Sequence, residues 1–231
     1  MVCNVPDYCI NEVSDHALAL ILSWTRKITF LNSKVKSGIW SIDKAKPIPS
    51  MRDQVLGLVG FGNIARQVYF KAKVFGFKIL LYDPYIDSLE DKYDVELVDF
   101  DFLLENSDII SIHCLANKKT RHLFGFEQFK KMKPGSYLIN TSRGIIVDSK
   151  ALYEVLKSNL ISGAAVDVYD PEPIDKNDPI LKLNNFIITP HIGFYSERSI
   201  KEVRRISASN IAVVLSGKGS QNVINPEVLK Q

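Results

Sequence analysis

Three segments of the chain carry side chains that could act together on a small acid, and each follows a stretch predicted to be a β-strand. Arg143 lies in segment 140–144, Glu172 in segment 167–173 and His191 in segment 189–193. A guanidinium binds a carboxylate in a two-point fork, and an imidazole can donate or accept a proton near neutral pH. Taken singly, each residue also has an ordinary structural explanation as a surface, turn or buried residue. Their occurrence in order at successive strand ends favours a shared site.

The elements expected to position these side chains alternate along the chain from Val55 onward. Short apolar and β-branched runs predict six strands, at 55–59, 78–82, 108–113, 136–140, 164–168 and 186–189. Helices are predicted at 63–76, 99–105, 126–132 and 148–158, and two longer ones, at 12–36 and 196–215, flank the set. This alternation predicts an α/β fold, a doubly wound parallel sheet of the Rossmann type with helices on both faces, plus a remnant of a second domain. The carboxyl ends of the strands would bring the three segments to one edge.

A glycine-rich turn lies between the first predicted strand and the helix that follows it. Gly60 permits a tight turn, and Gly62 lets the backbone approach a pyrophosphate. Asn63 and Ile64 open the helix, whose free N–H groups would face the phosphates, and Ala65 stands where a third glycine is common. Alone, this pattern is weak evidence for a nucleotide site.

An acidic residue at the end of the second strand strengthens the nucleotide interpretation. Asp83 follows that strand, where a carboxylate would accept hydrogen bonds from a ribose hydroxyl. Its charge would repel a 2′-phosphate, so NAD is favoured over NADP. Asp83 followed by Pro84 could instead simply end the strand as a turn. Up to this point a methyltransferase that binds S-adenosylmethionine remains open.

Composition limits the classes of partner. The 231 residues carry 29 basic and 26 acidic side chains, a net charge of +3 that is too small and too dispersed for a nucleic-acid surface. The longest apolar run, 17–22, is too short to span a bilayer, which excludes a membrane partner, and the acidic residues before it do not fit a signal peptide. Three cysteines without a C-x-x-C pair favour the reducing cytoplasm. His16, His113 and His122 are interpreted as structural or peripheral, and no ligand spacing predicts a metal site.

The three strand-end segments together resemble the signature blocks of the NAD-dependent D-isomer-specific 2-hydroxyacid dehydrogenases, a family that includes phosphoglycerate, glycerate, lactate and formate dehydrogenases. Segments 113–115 and 191–197 resemble the branch that contains the C-terminal-binding-protein corepressors. The likeness extends from Asn4 to about Asn225. It implies NAD as cofactor and a small 2-oxo or 2-hydroxy acid as substrate.

The resemblance also implies roles for single residues. Arg143 would hold the substrate carboxylate, His191 would exchange a proton with the C2 oxygen, and Glu172 would orient the imidazole. Asp167 would accept a hydrogen bond from the nicotinamide carboxamide. The residues expected to contact the cofactor are Gly60, Gly62, Asn63, Ile64, Asp83, Thr141, Ser142, Arg143, Asp167, His191 and Gly193. Asn63 departs from the arginine that is often found there, which could weaken pyrophosphate binding.

Family members have a substrate domain built from an N-terminal segment and the returning C-terminal tail. The first residues here match a point at which relatives have already crossed into the cofactor domain, so we expect a Rossmann domain at 8–205 with remnants and linkers at 1–7 and 206–231. Without the first domain, NAD binding is expected to persist while turnover is weak, and the tail from Asn222 is expected to lack a packing partner. Related enzymes dimerise through the region of the first long helix, so a homodimer is expected.

Three functional hypotheses follow from these observations. The leading one is a 2-hydroxyacid dehydrogenase, or its cofactor-binding fragment. The second is an NAD(H)-sensing binding protein like the corepressors, which look similar at the same positions. The third is a degenerate fragment without activity. Oxidation of bound NADH by 2-oxo acids would separate the first from the others.

Overall fold

The computed structural model describes residues 1–43, 45–217 and 222–227. Seven parallel strands form one sheet in the order β3-β2-β1-β4-β5-β6-β7. The strands are β1 (Val55–Val59), β2 (Lys78–Tyr82), β3 (Glu96–Leu97), β4 (Ile109–Ile112), β5 (Tyr137–Asn140), β6 (Gly163–Val166) and β7 (Phe186–Ile188). The chain therefore proceeds outward from β1 to β3, returns to the other side of β1 and continues to β7. This reversal between β1 and β4 is the topological switch point at which doubly wound sheets bind ligands.

Helices cover both faces of the sheet, so the predicted doubly wound α/β fold is confirmed. The helices are α1 (Ile10–Thr25), α2 (Ile28–Lys36), α3 (Asn63–Val74), α4 (Phe100–Asn106), α5 (Phe126–Lys131), α6 (Ser149–Lys157) and α7 (Glu197–Leu215). α1 and α3 share one buried cluster with alternate strand residues such as Leu56 and Leu58. α4, α5 and α6 share another, which includes Phe129 and Leu152. The strands are apolar on both sides because both of their faces are buried.

Local sequence signals account for most of the element boundaries. The six predicted strands are confirmed, each within two residues of its predicted ends. Asp148 accepts hydrogen bonds from the backbone N–H groups of Lys150 and Ala151, which makes it the predicted cap of α6. Ser196 caps α7 in the same way through Ser199. Each cap satisfies N–H groups that have no partner inside the helix.

Two features differ from the sequence-based expectations. The first long helix is not continuous over 12–36, because Lys27 adopts a left-handed conformation with φ of 53° between α1 and α2. No glycine or proline marks this break. The edge strand β3 was not predicted, since two exposed residues are too few for an alternating pattern.

The amino-terminal segment pairs with part of the tail. Cys3 and Val223 form an antiparallel bridge, and the Asn4 N–H donates to the Asn222 carbonyl at 3.0 Å. The expectation that the tail lacks a packing partner is therefore wrong for residues 222–225. Residues 228–231, which that expectation also covered, lie outside the described residues. The predicted domain boundary at 205 falls inside α7.

No helix among residues 1–43, 45–217 and 222–227 combines the length and the apolar character needed to cross a membrane.

Candidate active site at the carboxyl edge of the sheet

The glycine turn sits at the switch point and is held tightly on one side. Gly60 has φ of +89°, and its N–H donates to the Tyr82 carbonyl at the end of β2 at 2.8 Å. A Cβ at Gly60 would lie 2.7 Å from the backbone nitrogen of Cys114, just after β4. At Gly62, by contrast, a Cβ would meet no heavy atom within 4 Å. The turn is thus closed at Gly60 and open at Gly62, where α3 begins.

Asp83 joins the end of β2 to this turn. Its Oδ2 accepts a hydrogen bond from the Phe61 N–H at 2.9 Å, and its Oδ1 accepts one from the Tyr85 N–H at 3.0 Å. Each carboxylate oxygen can accept a second hydrogen bond, so Asp83 keeps acceptor capacity for a ligand. Its place beside the glycine turn is compatible with the predicted ribose contact.

Asn63, the first residue of α3, has a protein partner. Its side-chain amide donates to Asp7 Oδ1 at 2.9 Å, which fastens the amino-terminal segment to the helix start. A pyrophosphate contact through the Asn63 side chain would compete with this bond. The predicted role of Asn63 therefore rests on its backbone N–H.

The segment after β5 presents Arg143 at the surface. The Asn140 side chain accepts a hydrogen bond from the Ser142 N–H and donates one to the Arg143 carbonyl, both at 3.0 Å. Ser142 Oγ donates to the Cys114 carbonyl at 2.6 Å. These bonds fix the backbone, while the Arg143 guanidinium is exposed and donates only to the Ser142 carbonyl among the described residues. Most of its donors remain available to an anion.

Glu172 and His191 form a hydrogen-bonded pair. Glu172 Oε2 lies 2.7 Å from His191 Nδ1, and Glu172 Oε1 accepts the Tyr169 N–H at 2.9 Å. The carboxylate is therefore fixed at both oxygens, and His191 presents Nε2 as its other ring nitrogen. An oriented imidazole of this kind suits acid–base work.

Asp167 anchors the loop that carries His191. The carboxylate is 3% exposed and accepts hydrogen bonds from Thr189 Oγ1 at 2.5 Å and from the N–H groups of Ile192 and Gly193 at 2.9 and 2.8 Å. Burial raises its pKa, but these bonds and the nearby His16 outweigh burial and lower the pKa to about 2. Asp167 is a charged carboxylate across the physiological range.

A cavity of about 380 Å³ lies between the start of α3, the segment after β5 and the loop that carries His191. Six residues predicted from the sequence line it: Ile64, Thr141, Ser142, Arg143, Asp167 and His191. A second cavity of about 520 Å³ is lined by Glu172 and Pro173 among others. His191 and Asp167 line both cavities.

Several residues at this site were not predicted from the sequence to be site residues. Cys9 and Val13 line the first cavity from the start of α1, and Phe194 lines it from the loop after β7. His113 also lines it; burial lowers the pKa of His113 to about 4, so its ring is neutral. Burial likewise raises the pKa of Cys114 to about 11, which keeps it a thiol. In the described part of the chain no three potential metal ligands converge.

The structure therefore brings most of the predicted site residues together. Arg143, Asp167 and His191 line one cavity, and Glu172 joins them through His191. Gly60, Gly62 and Asp83 lie at the adjacent switch point, just after the strands β1 and β2. Gly193 is close to the site through Asp167. The individual roles of these residues remain predictions.

Comparison with known proteins gives a consistent result. The NAD-binding domain of the D-isomer specific 2-hydroxyacid dehydrogenases matches residues 18–193. A glyoxylate reductase of Korarchaeum cryptofilum is 36% identical over 233 residues, which cover 99% of this chain and 70% of the relative. A D-3-phosphoglycerate dehydrogenase of Methanocaldococcus jannaschii is 39% identical, and the chain spans only 43% of its length. The solved D-lactate dehydrogenase of Aquifex aeolicus, in complex with NAD and lactic acid, superposes with a TM-score of 0.86 at 32% identity, covering 94% of this chain and 69% of that one.

Proposed function

The chain belongs to the D-isomer specific 2-hydroxyacid dehydrogenase family and contains its NAD-binding domain, and on that premise we propose that it interconverts a 2-oxo acid and the corresponding 2-hydroxy acid. The observation that carries this proposal is the Glu172–His191 pair at 2.7 Å beside the cavity that Arg143 also lines. Bound NADH would supply the hydride that reaches C2. The reaction also needs a proton donor for the C2 oxygen and a group that binds the substrate carboxylate.

Arg143 and His191 meet these two needs. The exposed guanidinium of Arg143 can bind the substrate carboxylate in a two-point fork and polarise the neighbouring carbonyl. His191 Nε2 can donate a proton to the oxygen at C2 during reduction and recover it during oxidation. Glu172 fixes the orientation of the imidazole ring through Nδ1.

The residues at the switch point fit the cofactor. The open backbone at Gly62 and the start of α3 suit a pyrophosphate, and Asp83 suits an unphosphorylated ribose. Asp167 Oδ2 accepts one N–H, from Gly193, so it retains an acceptor position for the nicotinamide carboxamide. Thr141 Oγ1 is buried without a hydrogen-bond partner among the described residues and can donate to the cofactor.

A binding and single-turnover assay tests the proposal. NADH fluorescence is titrated with the 231-residue chain, and oxidation of the bound NADH is then followed with a panel of 2-oxo acids, enzyme being in excess so that slow chemistry is measurable. His191→Gln should lower the oxidation rate by about 10²- to 10⁴-fold and leave the NADH dissociation constant within about twofold. His122→Ala, at an exposed loop histidine, serves as the control.

The alternative is an NAD(H)-dependent binding protein. Such a protein would bind the dinucleotide in the same cavity. The observation that favours it is the exposure of large apolar side chains in the 35–42 region, where Trp40 is 88% and Ile42 72% exposed. NADH binding with no oxidation by any 2-oxo acid in the panel, in wild type and variants alike, would refute the dehydrogenase proposal and support this one.

The same exposed side chains support a homodimer. Ile28, Val35, Ile39, Trp40 and Ile42 are all exposed on α2 and in the segment that follows it, and large exposed apolar surfaces mark interaction sites. Sedimentation of the wild type as a dimer at micromolar concentration, and of Trp40→Glu as a monomer, is the expected result. A monomeric wild type would refute it.

Two further proposals concern the division into domains and the cellular compartment. We place the Rossmann domain at 8–205, with 1–7 and 206–231 belonging to the second domain, and limited proteolysis would test that division. We place the protein in the cytoplasm, which its three free cysteines support. Fractionation of cells would test the compartment.

A further inference from the structure

His16 on α1 contacts the loop that carries His191 although the two elements are distant in sequence. His16 Nε2 lies 2.9 Å from Thr189 Oγ1 and 3.4 Å from Asp167 Oδ1. Its side chain is 21% exposed and that of Asp167 3%, so water competes little for these contacts. Sequence patterns suggested only a structural or peripheral histidine here.

Hydrogen-bond accounting fixes the direction of these contacts. Asp167 is a carboxylate and can only accept, so the Thr189 hydroxyl donates its single proton to Asp167 Oδ1. Thr189 Oγ1 must then accept from His16, which places a proton on His16 Nε2. The result is a chain of donors that runs from His16 through Thr189 to Asp167.

The chain of donors ends at the backbone of the catalytic loop. Asp167 holds the N–H groups of Ile192 and Gly193, and its own carbonyl accepts the His191 N–H at 2.8 Å. His191 itself has φ of 53°, a conformation that a residue other than glycine adopts only when its surroundings hold it there. The loop therefore needs an anchor on both sides of His191.

The helix α1 is a rigid base for that anchor. It packs against α3, β5 and β6 and buries Ala17, Leu20 and Ile21. A second contact ties it to the end of the same loop, because Ser196 Oγ donates to Glu12 Oε1 at 2.7 Å. α1 thus holds the loop at Thr189 and again at Ser196, with His191 between.

We propose that His16 is a positioning residue of the dehydrogenase, acting through Thr189 and Asp167 on the backbone that places His191. The effect of His16 on turnover rests on the proposed function, whereas its anchoring of the loop does not. His16 does not touch the reacting atoms. It holds Thr189 and Asp167 in place, and Asp167 in turn fixes the backbone of the loop. The imidazole ring of His191 is thereby held at the cavity.

Amide hydrogen exchange in the free protein tests the structural core without any turnover. The N–H groups of Ile192 and Gly193 should exchange about tenfold faster in His16→Ala than in wild type, because one hydrogen bond in their anchor is lost. His16→Gln, whose amide N–H₂ can take the place of Nε2, should restore exchange to within about threefold. His122→Ala, at an exposed loop histidine, serves as the control. Unchanged exchange in His16→Ala would overturn the proposal.

A separate variant protects the test against misfolding of α1. Thr189→Val keeps the shape of the side chain and removes the relay hydroxyl, so it should accelerate exchange at Ile192 and Gly193 while α1 is intact. If His16→Ala does not fold, Thr189→Val alone tests the relay. Exchange at Ile192 and Gly193 that is as slow in Thr189→Val as in wild type would refute it.

Kinetics then test the link to catalysis. If the wild type oxidises NADH, His16→Ala should lower kcat about tenfold or more with KM and the NADH dissociation constant within about twofold, and His16→Gln should recover most of kcat. A loss of NADH affinity with unchanged kcat would contradict a positioning role. If the wild type binds NADH but oxidises none, the proposed function fails, while the exchange result still decides whether His16 holds the loop.

Discussion

Replacing Asp167 by asparagine would measure how much one buried carboxylate contributes to the stability of the protein and to NADH binding. The substitution keeps the size of the side chain but removes its charge, and it presents an amide N–H₂ group to a site that offers only donors. Thr189, Ile192 and Gly193 all donate to this carboxylate in the wild type. We expect Asp167→Asn to be destabilised and to lose part of its NADH affinity.

The magnitude follows from the pKa of Asp167. It is lowered from 3.8 to about 2, since hydrogen bonds outweigh the opposing effect of burial. At about 1.4 kcal/mol per pKa unit, the charge contributes about 2 kcal/mol to the free energy of unfolding. Because the folded pKa is depressed, this contribution is present in full above the unfolded value and is lost as the pH falls through the folded value. About half of it should remain at pH 3.

Urea unfolding of wild type and variant from pH 7 to pH 3 is the assay. The difference in unfolding free energy should be about 2 kcal/mol or more at pH 7 and should shrink by about 1 kcal/mol at pH 3, because the asparagine does not titrate. Asp87→Asn, at an exposed aspartate, should show almost no difference at either pH. A difference between wild type and Asp167→Asn that does not change with pH, or that stays below about 0.5 kcal/mol, would refute the role given to the carboxylate.

The remaining predictions concern the cofactor and the substrate. Gly62→Ala should leave thermal stability unchanged and raise the NADH dissociation constant about tenfold, because its Cβ has open space in the free protein and would meet only the bound pyrophosphate. Gly60→Ala should lower the thermal stability and also raise the NADH dissociation constant, since its Cβ overlaps the Cys114 backbone; calorimetry and fluorescence titration that show equal behaviour of the two variants would contradict this. Asp83→Asn should retain the Phe61 contact and raise the NADPH-to-NADH affinity ratio about tenfold, and an unchanged ratio would argue against the ribose contact. Arg143→Lys should raise the KM for the 2-oxo acid about tenfold or more, because an ammonium cannot form the two-point fork; equal KM values would remove Arg143 from the substrate site.

Local signals were enough to predict six of the seven described strands and the glycine turn. The β-branched runs and the capping residue Asp148 act within a few positions of the structures they specify, and a close strand-to-helix turn requires a residue such as Gly60. The break at Lys27 was missed because no glycine or proline marks it and nothing in the lysine side chain requires a left-handed backbone.

The site was predicted only in part, for a related reason. Arg143, Glu172 and His191 follow strands, so the topology alone brings them to one edge. His16 and Cys9 reach the same place from α1, and the His16–Thr189 contact joins residues 173 positions apart. No pattern in the sequence shows which turn of α1 faces β7, so only packing could reveal these residues.

The central claim is that folding gathers Arg143, Glu172 and His191 around the nicotinamide end of a bound dinucleotide. A crystal structure of the chain with NADH and oxamate, an unreactive analogue of a 2-oxo acid, tests it most directly. We predict the pyrophosphate on the Gly60–Gly62 turn, the nicotinamide in the cavity of about 380 Å³, and the oxamate carboxylate on Arg143 beside His191. A dinucleotide bound elsewhere, or an analogue out of contact with both side chains, would contradict the account.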